Sequence, residues 1–326
     1  MDKMESIKSC IEQDLIRFEE NFEQALSTRV PLADNVIHYF LDRRGKQLRP
    51  IVTLLAAKMV GGEVTKEAIS GAVALELLHN ASLMHDDVID KSDERRGLST
   101  INKVWDNKVA VLMGDFFLSK CLVASNSTGS LQISNILANM VIRLSEGELE
   151  QLSNVRSHLL SESAYFSVIS GKTASLFSAC MKVGALSVGK SEEEVERMGQ
   201  IGELMGLIFQ IRDDIFDYFP SSDIGKPSGH DIREGKVTLP LLYALQYGPA
   251  EESEKMKALI GGEREPNAEQ VSRLVEFAKA VGGVEYAQAK MKNIAFDAKK
   301  LLDMYPHSPA RDALKSLIDY FIERNH

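Results

Sequence analysis

Apolar side chains recur along the chain at the three-and-four spacing of an α-helix. Ile11, Leu15, Phe18, Phe22 and Leu26 fall on one face of such a helix and form an amphipathic stripe. Similar patterns predict helices over about 48–60, 66–90, 103–124, 131–152, 162–187, 192–218 and 267–303. Strict alternation is scarce, and only 9 prolines interrupt the chain. The stretches 69–89 and 195–219 are apolar round most of their circumference. Helices of that kind belong at the centre of a bundle. The predicted fold class is therefore all-α, a single-domain helical bundle over 1–326 with two central helices. No fixed-period repeat, low-complexity tract or domain linker divides it.

Both central helices end in the same acidic pattern. The first closes on Asp86-Asp87-Val88-Ile89-Asp90 and the second on Asp213-Asp214-Ile215-Phe216-Asp217, each D-D-x-x-D. Residues four apart share a helix face, so Asp86 points with Asp90, and Asp213 with Asp217. Like charges at that spacing repel, and the negative end of the helix dipole makes them slightly worse. Local stability does not account for the pattern, and a solvated acidic helix end does not account for its occurring twice. A hard cation does. Mg²⁺ takes carboxylate oxygens, keeps several waters and shares its shell with substrate phosphates.

Basic residues accompany the acids. Arg95 and Arg96 follow the first motif within the charged loop 91–100. Lys226, Arg233 and Lys236 follow the second within 220–236, a stretch rich in glycine and proline. Lys46 and Arg49 sit in Gly45-Lys46-Gln47-Leu48-Arg49-Pro50, and Lys172 and Thr173 in Gly171-Lys172-Thr173-Ala174. Arginine forks and lysine point charges are the usual phosphate binders. Any one of these bases is an ordinary surface charge, and it is their pairing with the acidic motifs that points to phosphate. The tetrapeptide lacks the spacing of a Walker loop and follows no strand. His79 lies two turns before Asp86 on its stripe and could donate to a phosphate oxygen, although a lone histidine on an apolar helix is more often a core residue. His85 lies off that stripe and takes no role. Gln210 lies one turn before Asp214.

Composition removes several classes. The net charge of −9 argues against a nucleic-acid binder held by a basic stripe, without excluding a locally basic site for an anionic substrate. Cys10, Cys121 and Cys180 form neither a metal-ligand spacing nor a disulfide framework, as expected of a cytoplasmic protein. The charged N-terminus does not read as a signal peptide. No stretch approaches about 18 uninterrupted apolar residues, so no membrane span is expected and any membrane contact would be peripheral.

Taken together the motifs resemble the polyprenyl synthetase family, the all-trans isoprenyl diphosphate synthases, and among them long-chain members such as octaprenyl diphosphate synthases. The resemblance is carried by RGKQLRP at 44–50, LLHNASLMHDDVIDKSDERRG at 77–97, GD at 114–115, GKTA at 171–174, FQIRDDIFDY at 209–218 and DIGKPSGHDIREGKVTLP at 223–240. The stretches 1–30 and 250–326 contribute little. The resemblance implies a helical bundle around a deep cavity, a homodimer, and head-to-tail condensation of isopentenyl diphosphate with an allylic diphosphate. It implies that Asp86, Asp90, Asp213 and Asp217 bind Mg²⁺, the last directly or through water, with Asp87 and Asp214 in support. It gives the allylic diphosphate to Arg95, Lys172, Thr173, Gln210, Lys226 and Lys236, and isopentenyl diphosphate to Lys46, Arg49, His79 and Arg96. The family's commoner first motif is GGKRLRP; here Arg44 and Gln47 depart from it, at positions that do not match its main phosphate ligands.

Product length is set by where the growing chain meets a wall. One turn below Asp86 lies Ser82, preceded by Ala81, with Leu78 and Leu75 deeper. Small residues there predict a long product, of more than about four isoprene units, such as a quinone tail; helix packing alone would also account for the pair. The alternatives are a short-chain farnesyl or geranylgeranyl synthase, a terpene cyclase, which needs no second diphosphate site, and a catalytically silent helical subunit.

Overall fold

Several helices in this chain start where a side chain accepts from a backbone N–H of the first turn. The N–H of Ala68 donates to Thr65 Oγ1 (3.1 Å), that of Val109 to Asp106 Oδ1 (2.8 Å) and that of Ala164 to Ser161 Oγ (3.1 Å). Asn267 and Gln270 exchange side chain and backbone in a full capping box. The structure, a computed structural model, describes residues 3–43, 45–95, 97–220, 228–260 and 266–324.

In chain order the elements are α1 (Lys3–Lys8), a 3-10 turn at Ser9–Ile11, α2 (Glu12–Ala25), α3 (Pro31–Leu41), α4 (Leu48–Gly61) and α5 (Lys66–Ile89). A small hairpin follows, β1 (Glu94–Arg95) and β2 (Leu98–Ser99), then α6 (Ile101–Val104), α7 (Asn107–Ser127), α8 (Leu131–Ser157) and α9 (Glu162–Ile169). A π turn at Ser170–Ala174 leads into α10 (Ser175–Ser187) and α11 (Glu192–Phe216). The chain ends in α12 (His230–Arg233), α13 (Leu239–Tyr247), α14 (Ala250–Ile260), α15 (Ala268–Ala280), α16 (Gly283–Leu302) and α17 (Pro309–Glu323). Among the described residues β1 and β2 are the only strands, paired antiparallel with Glu94 opposite Ser99. The all-α expectation holds.

The chain divides into two compact units. The first comprises Met1–Met140, Leu176–Gly202 and Tyr305–Leu314; the second comprises Val141–Ser175, Glu203–Met304 and Lys315–His326. In the first unit α5 is buried almost continuously from Ala68 to Leu78 and packs against α2, α4 and α7. Each fully buried Leu or Ile there contributes about 1.5–3 kcal/mol. A row of rings joins α2, α3 and α7: Phe22 to Phe40 at 6.4 Å and Phe40 to Phe117 at 5.1 Å between centroids. In the second unit α13 lies against α15 and α16, and Ile208, Ile211 and Ile215 of α11 are buried.

Three predicted helices are interrupted, 103–124 at Trp105 and Asp106 between α6 and α7. The 162–187 pattern contains the π turn, and 267–303 breaks between α15 and α16 at Gly282, whose φ is +87°. At the next residue, Gly283, a Cβ would lie 2.1 Å from the Pro240 carbonyl oxygen, a contact only glycine allows. The helices α3, α13, α14 and α17 and the 94–99 hairpin were not anticipated from the pattern, being short or separated by ambiguous turns. Among the described residues α7 alone is, by length and composition only, long and apolar enough to cross a membrane, although Lys108, Asp115 and Lys120 interrupt its apolar run. Its Ala110, Met113, Phe117 and Cys121 are instead buried in the first unit.

Candidate functional site

In the first unit the acidic motif sits where α5 is forced to stop. Lys91 takes the left-handed conformation (φ +51°), so the chain turns immediately after Asp90. The N–H of Ser92 donates to Asp87 O at 2.9 Å and that of Lys91 to Val88 O at 3.3 Å, the paired bonds of a Schellman stop. A lysine there costs about 1–2 kcal/mol relative to an ordinary helical residue. The stop leaves Asp86 half-buried on the last turn and Asp90 exposed at the cap.

Asp87 points elsewhere. It is buried, and Arg95 Nε and Nη2 both donate to its Oδ1 at 2.9 and 2.8 Å. Burial raises the Asp87 carboxyl above its ordinary range despite Arg95. The hairpin carrying Arg95 is held by Tyr39, whose hydroxyl donates to Ser99 O at 2.7 Å. Arg95, expected on the allylic diphosphate, is thus placed on Asp87, with two-fifths of its side chain exposed. His85, given no role from the sequence, lies against Gly114 and Asp115. Its Nε2 is 3.5 Å from Asp115 Oδ1, and a Cβ at Gly114 would fall 2.3 Å from it. That contact explains the GD pair.

The residues expected to hold isopentenyl diphosphate lie at the start of α4 and midway along α5. Lys46 is exposed before α4, and Arg49 lies in the first turn of α4 with its guanidinium 5.3 Å from the Phe177 ring centre. His79 is half-buried on α5, and its carbonyl accepts from Ser82 Oγ at 2.9 Å. Arg96 lies outside the described residues, as do Lys226 and Arg44. Of the residues expected to set chain length, Ala81 and Leu78 are buried and Ser82 is half-buried. On α5 the accessible column below Asp86 runs through Ser82 to His79 and stops at buried Leu75.

In the second unit several of the expected residues share one cavity of ≈ 150 Å³, which Asp213 and Asp217 do not line. Lys172 and Thr173 from the π turn, Gln210 and Asp214 from α11, and Asp231 and Lys236 from the α12 region line its polar side. Val155, Leu159, Val168, Ile169 and Leu242 line the apolar side. The π turn is what places GKTA. Gly147 of α8 and Gly171 meet so closely that a Cβ on Gly147 would lie 2.8 Å from the Lys172 backbone nitrogen. Arg143 donates to Ser170 Oγ at 2.7 Å, and Ser170 donates to Glu203 in a short bond. Single π turns of this kind often mark functional positions.

A chain of donors runs to a buried acid. Thr173 Oγ1 donates to Gln210 Oε1 at 2.7 Å, Gln210 Nε2 to Asp214 Oδ1 at 2.8 Å, and the Tyr165 hydroxyl to Asp214 Oδ2 at 2.5 Å. Burial, reinforced by the charge of Asp231, raises the Asp214 carboxyl strongly; burial also raises Tyr165 and Asp231. Asp214 therefore fixes the amide of Gln210 rather than facing solvent. Each lysine has an acidic partner: Lys172 Nζ is 2.7 Å from Glu148 Oε1, and Lys236 Nζ is 2.6 Å from Glu234 Oε2.

The outer acids of the second motif are also engaged. Asp217 accepts the N–H of His230 on one oxygen (2.8 Å) and that of Asp231 on the other (3.0 Å), fastening α12 to the end of α11. Burial raises its carboxyl, and these two bonds oppose the rise. Asp213 Oδ1 accepts from Arg324 Nη2 at 2.5 Å. Among the described residues no group of three or more His, Cys, Asp or Glu is assembled to hold a metal. What each motif offers is a pair of carboxylates on one helix face. That donor set fits Mg²⁺, which completes its shell with water and substrate oxygens, and does not fit a protein-only cage.

Sequence reasoning missed Tyr165, Glu148, Asp231, Glu234 and Arg324. Asp231 and Glu234 lie within a quoted motif and Tyr165 a few residues before one, but they carry no spacing of their own, and Glu148 lies outside every quoted motif. Arg324 lies in the C-terminal stretch, which contributed little to the resemblance.

The family model for polyprenyl synthetase matches residues 30–278. Octaprenyl diphosphate synthase of Haemophilus influenzae is 34% identical, over 99% of this chain and 98% of that protein. Among solved structures, polyprenyl synthase from Caulobacter crescentus, complexed with calcium and isoprenyl diphosphate, superposes with a TM-score of 0.90 at 32% identity, over 99% of this chain and 98% of that one. Geranylgeranyl pyrophosphate synthase from Bacteroides thetaiotaomicron gives 0.86 at 40% identity, over 99% of this chain and 100% of that one.

Proposed function

Because the chain belongs to the polyprenyl synthetase family, we propose that it condenses isopentenyl diphosphate head to tail with an allylic diphosphate and releases a long all-trans polyprenyl diphosphate. Family membership makes it a prenyl-transferring enzyme. The observation that carries the reaction is the convergence of Lys172, Thr173, Gln210 and Lys236 on one cavity, from segments far apart in the chain.

In this reading Lys172 and Lys236 turn from Glu148 and Glu234 to the oxygens of the allylic diphosphate. Thr173 and Gln210 donate beside them, with Gln210 held by Asp214. Asp86 and Asp90 in the first unit, and Asp213 and Asp217 in the second, are the residues that would hold Mg²⁺, which would neutralise charge on the departing diphosphate. The allylic C–O bond breaks, and its electron pair leaves with the diphosphate that the lysines hold. The double bond of isopentenyl diphosphate, held by Lys46, Arg49 and His79, then bonds to the allylic carbon. A proton leaves the adjacent carbon for the released diphosphate. No side-chain nucleophile is needed.

Small side chains at Ala81 and Ser82 support a long product, with Ser82 the accessible one. The product suits a quinone side chain. Exposed Val111, Leu112, Leu122 and Val123 recur 11 residues apart on α7, one face of the helix. That face supports a homodimer. The three free thiols support a cytoplasmic location, with membrane contact confined to product release.

The test is incubation of the purified protein with labelled isopentenyl diphosphate, farnesyl diphosphate and Mg²⁺, with prenol length read after dephosphorylation. A ladder of long prenols is expected. Short products would overturn the length assignment alone. No incorporation with any allylic starter would overturn the reaction and favour a silent subunit.

A further inference from the structure

The residue that follows α17 pairs with the second acidic motif. Arg324 follows α17 directly and keeps the helical bond from its N–H to Tyr320 O, at 2.9 Å. Its Nη2 donates to Asp213 Oδ1 at 2.5 Å and to Phe209 O at 2.9 Å. The guanidinium lies 3.9 Å from the Phe209 ring centre and 5.6 Å from that of Phe216, with the side chain one-tenth exposed. Arg212 Nε and Nη2 donate to the Arg324 carbonyl at 3.1 and 2.7 Å. Asp213 is thus paired with the Arg324 guanidinium, whose backbone Arg212 holds in turn, so it carries a cation before any metal arrives. A divalent cation brought to that carboxylate meets like charge at close range. The docked state also carries a cost, because Arg324 Nε is buried without a hydrogen-bond partner.

We propose that Arg324 is a built-in counter-ion for Asp213, a cation supplied by the chain that must be displaced before Asp213 accepts a divalent metal. Loading of the second motif then undocks the last turn of α17. The proposal rests on the assignment of Asp213 as a metal ligand. It goes further in making the C-terminus a competitor of the metal rather than a passive anchor.

Calorimetric titration of substrate-free protein with Mg²⁺ tests it. Arg324→Gln keeps the side chain's bulk and hydrogen bonding and removes its charge. This variant is expected to bind Mg²⁺ about fivefold tighter than the wild type, the scale of a partly exposed ion pair. Arg324→Lys, which keeps the charge, should stay near wild type. Amide exchange over 318–324 in the wild type should speed up when Mg²⁺ is added. It should not respond in Asp213→Asn. Equal or weaker Mg²⁺ binding by Arg324→Gln overturns the proposal, as does exchange over 318–324 that ignores bound Mg²⁺. The exchange arm decides even if Arg324→Gln fails to fold. Isopentenyl incorporation by the wild type is measured alongside. Incorporation with unchanged Mg²⁺ affinity in the variant removes the counter-ion alone. Absent incorporation with altered affinity removes the proposed reaction and leaves the counter-ion standing.

Discussion

Replacing Gly147 by Ala tests the close approach that positions Lys172. In an exposed helix interior the change stabilises by about 1 kcal/mol, because Ala has the better helix propensity. Here the new Cβ would lie 2.8 Å from the Lys172 nitrogen, 3.0 Å from Gly171 C and 3.3 Å from Gly171 Cα. All three are backbone atoms, so no side-chain rotation relieves the clash. Gly171 approaches α8 as closely in return, its own Cβ position lying 3.0 Å from the Arg143 carbonyl oxygen and 3.2 Å from Gly147 Cα. Overpacking of this kind costs about 1–3 kcal/mol. Set against the propensity gain, the net effect is a destabilisation of up to ~2 kcal/mol. The π turn must also move by several tenths of an ångström, carrying Lys172 and Thr173 with it. A displacement near 1 Å at a catalytic group costs up to ~10²-fold, so kcat/KM for the allylic diphosphate should fall roughly tenfold. Urea unfolding and steady-state kinetics on the same preparation read both effects. A variant more stable by ~1 kcal/mol with unchanged kcat/KM would refute the reasoning.

Three further outcomes follow from the same geometry. Ser82→Phe should shorten the prenol ladder, because Ser82 is the accessible residue one turn below Asp86, whereas buried Ala81 has no room for a ring; an unchanged ladder would remove Ser82 from the wall. Tyr165→Phe takes one of its donors from buried Asp214, which should raise that carboxyl further and cost about 1–3 kcal/mol in urea unfolding; a loss under ~0.5 kcal/mol would show that the bond contributes little. Burial pushes the Cys121 and Cys180 thiols up to about 12, so iodoacetamide at pH 8 should label half-exposed Cys10 first in the native protein. Peptide mass spectra giving equal labelling of all three thiols would contradict their burial.

The helical periodicity of 66–90 and 192–218, and the two acidic motifs closing them, could be read without a structure. They depend on residues three and four apart, whose geometry the helix itself dictates. The residues proposed to hold phosphate were picked out for a different reason: their order along the chain matches a family, and in the structure Lys172, Thr173, Gln210 and Lys236 line one cavity. Within the D-D-x-x-D repeats the four residues beyond the first are not equivalent, and no spacing rule says so. Asp87 is taken by Arg95 and Asp214 by Gln210 and Tyr165, while Asp217 caps α12. Those assignments came from contacts across the chain: Tyr165 meets Asp214 at a separation of 49 residues and Arg324 meets Asp213 at 111. Sequence determined which acids and bases are present and which face of its own helix each occupies. Only tertiary packing decided which of them are already partnered, because a partner so distant leaves no period in the sequence to read.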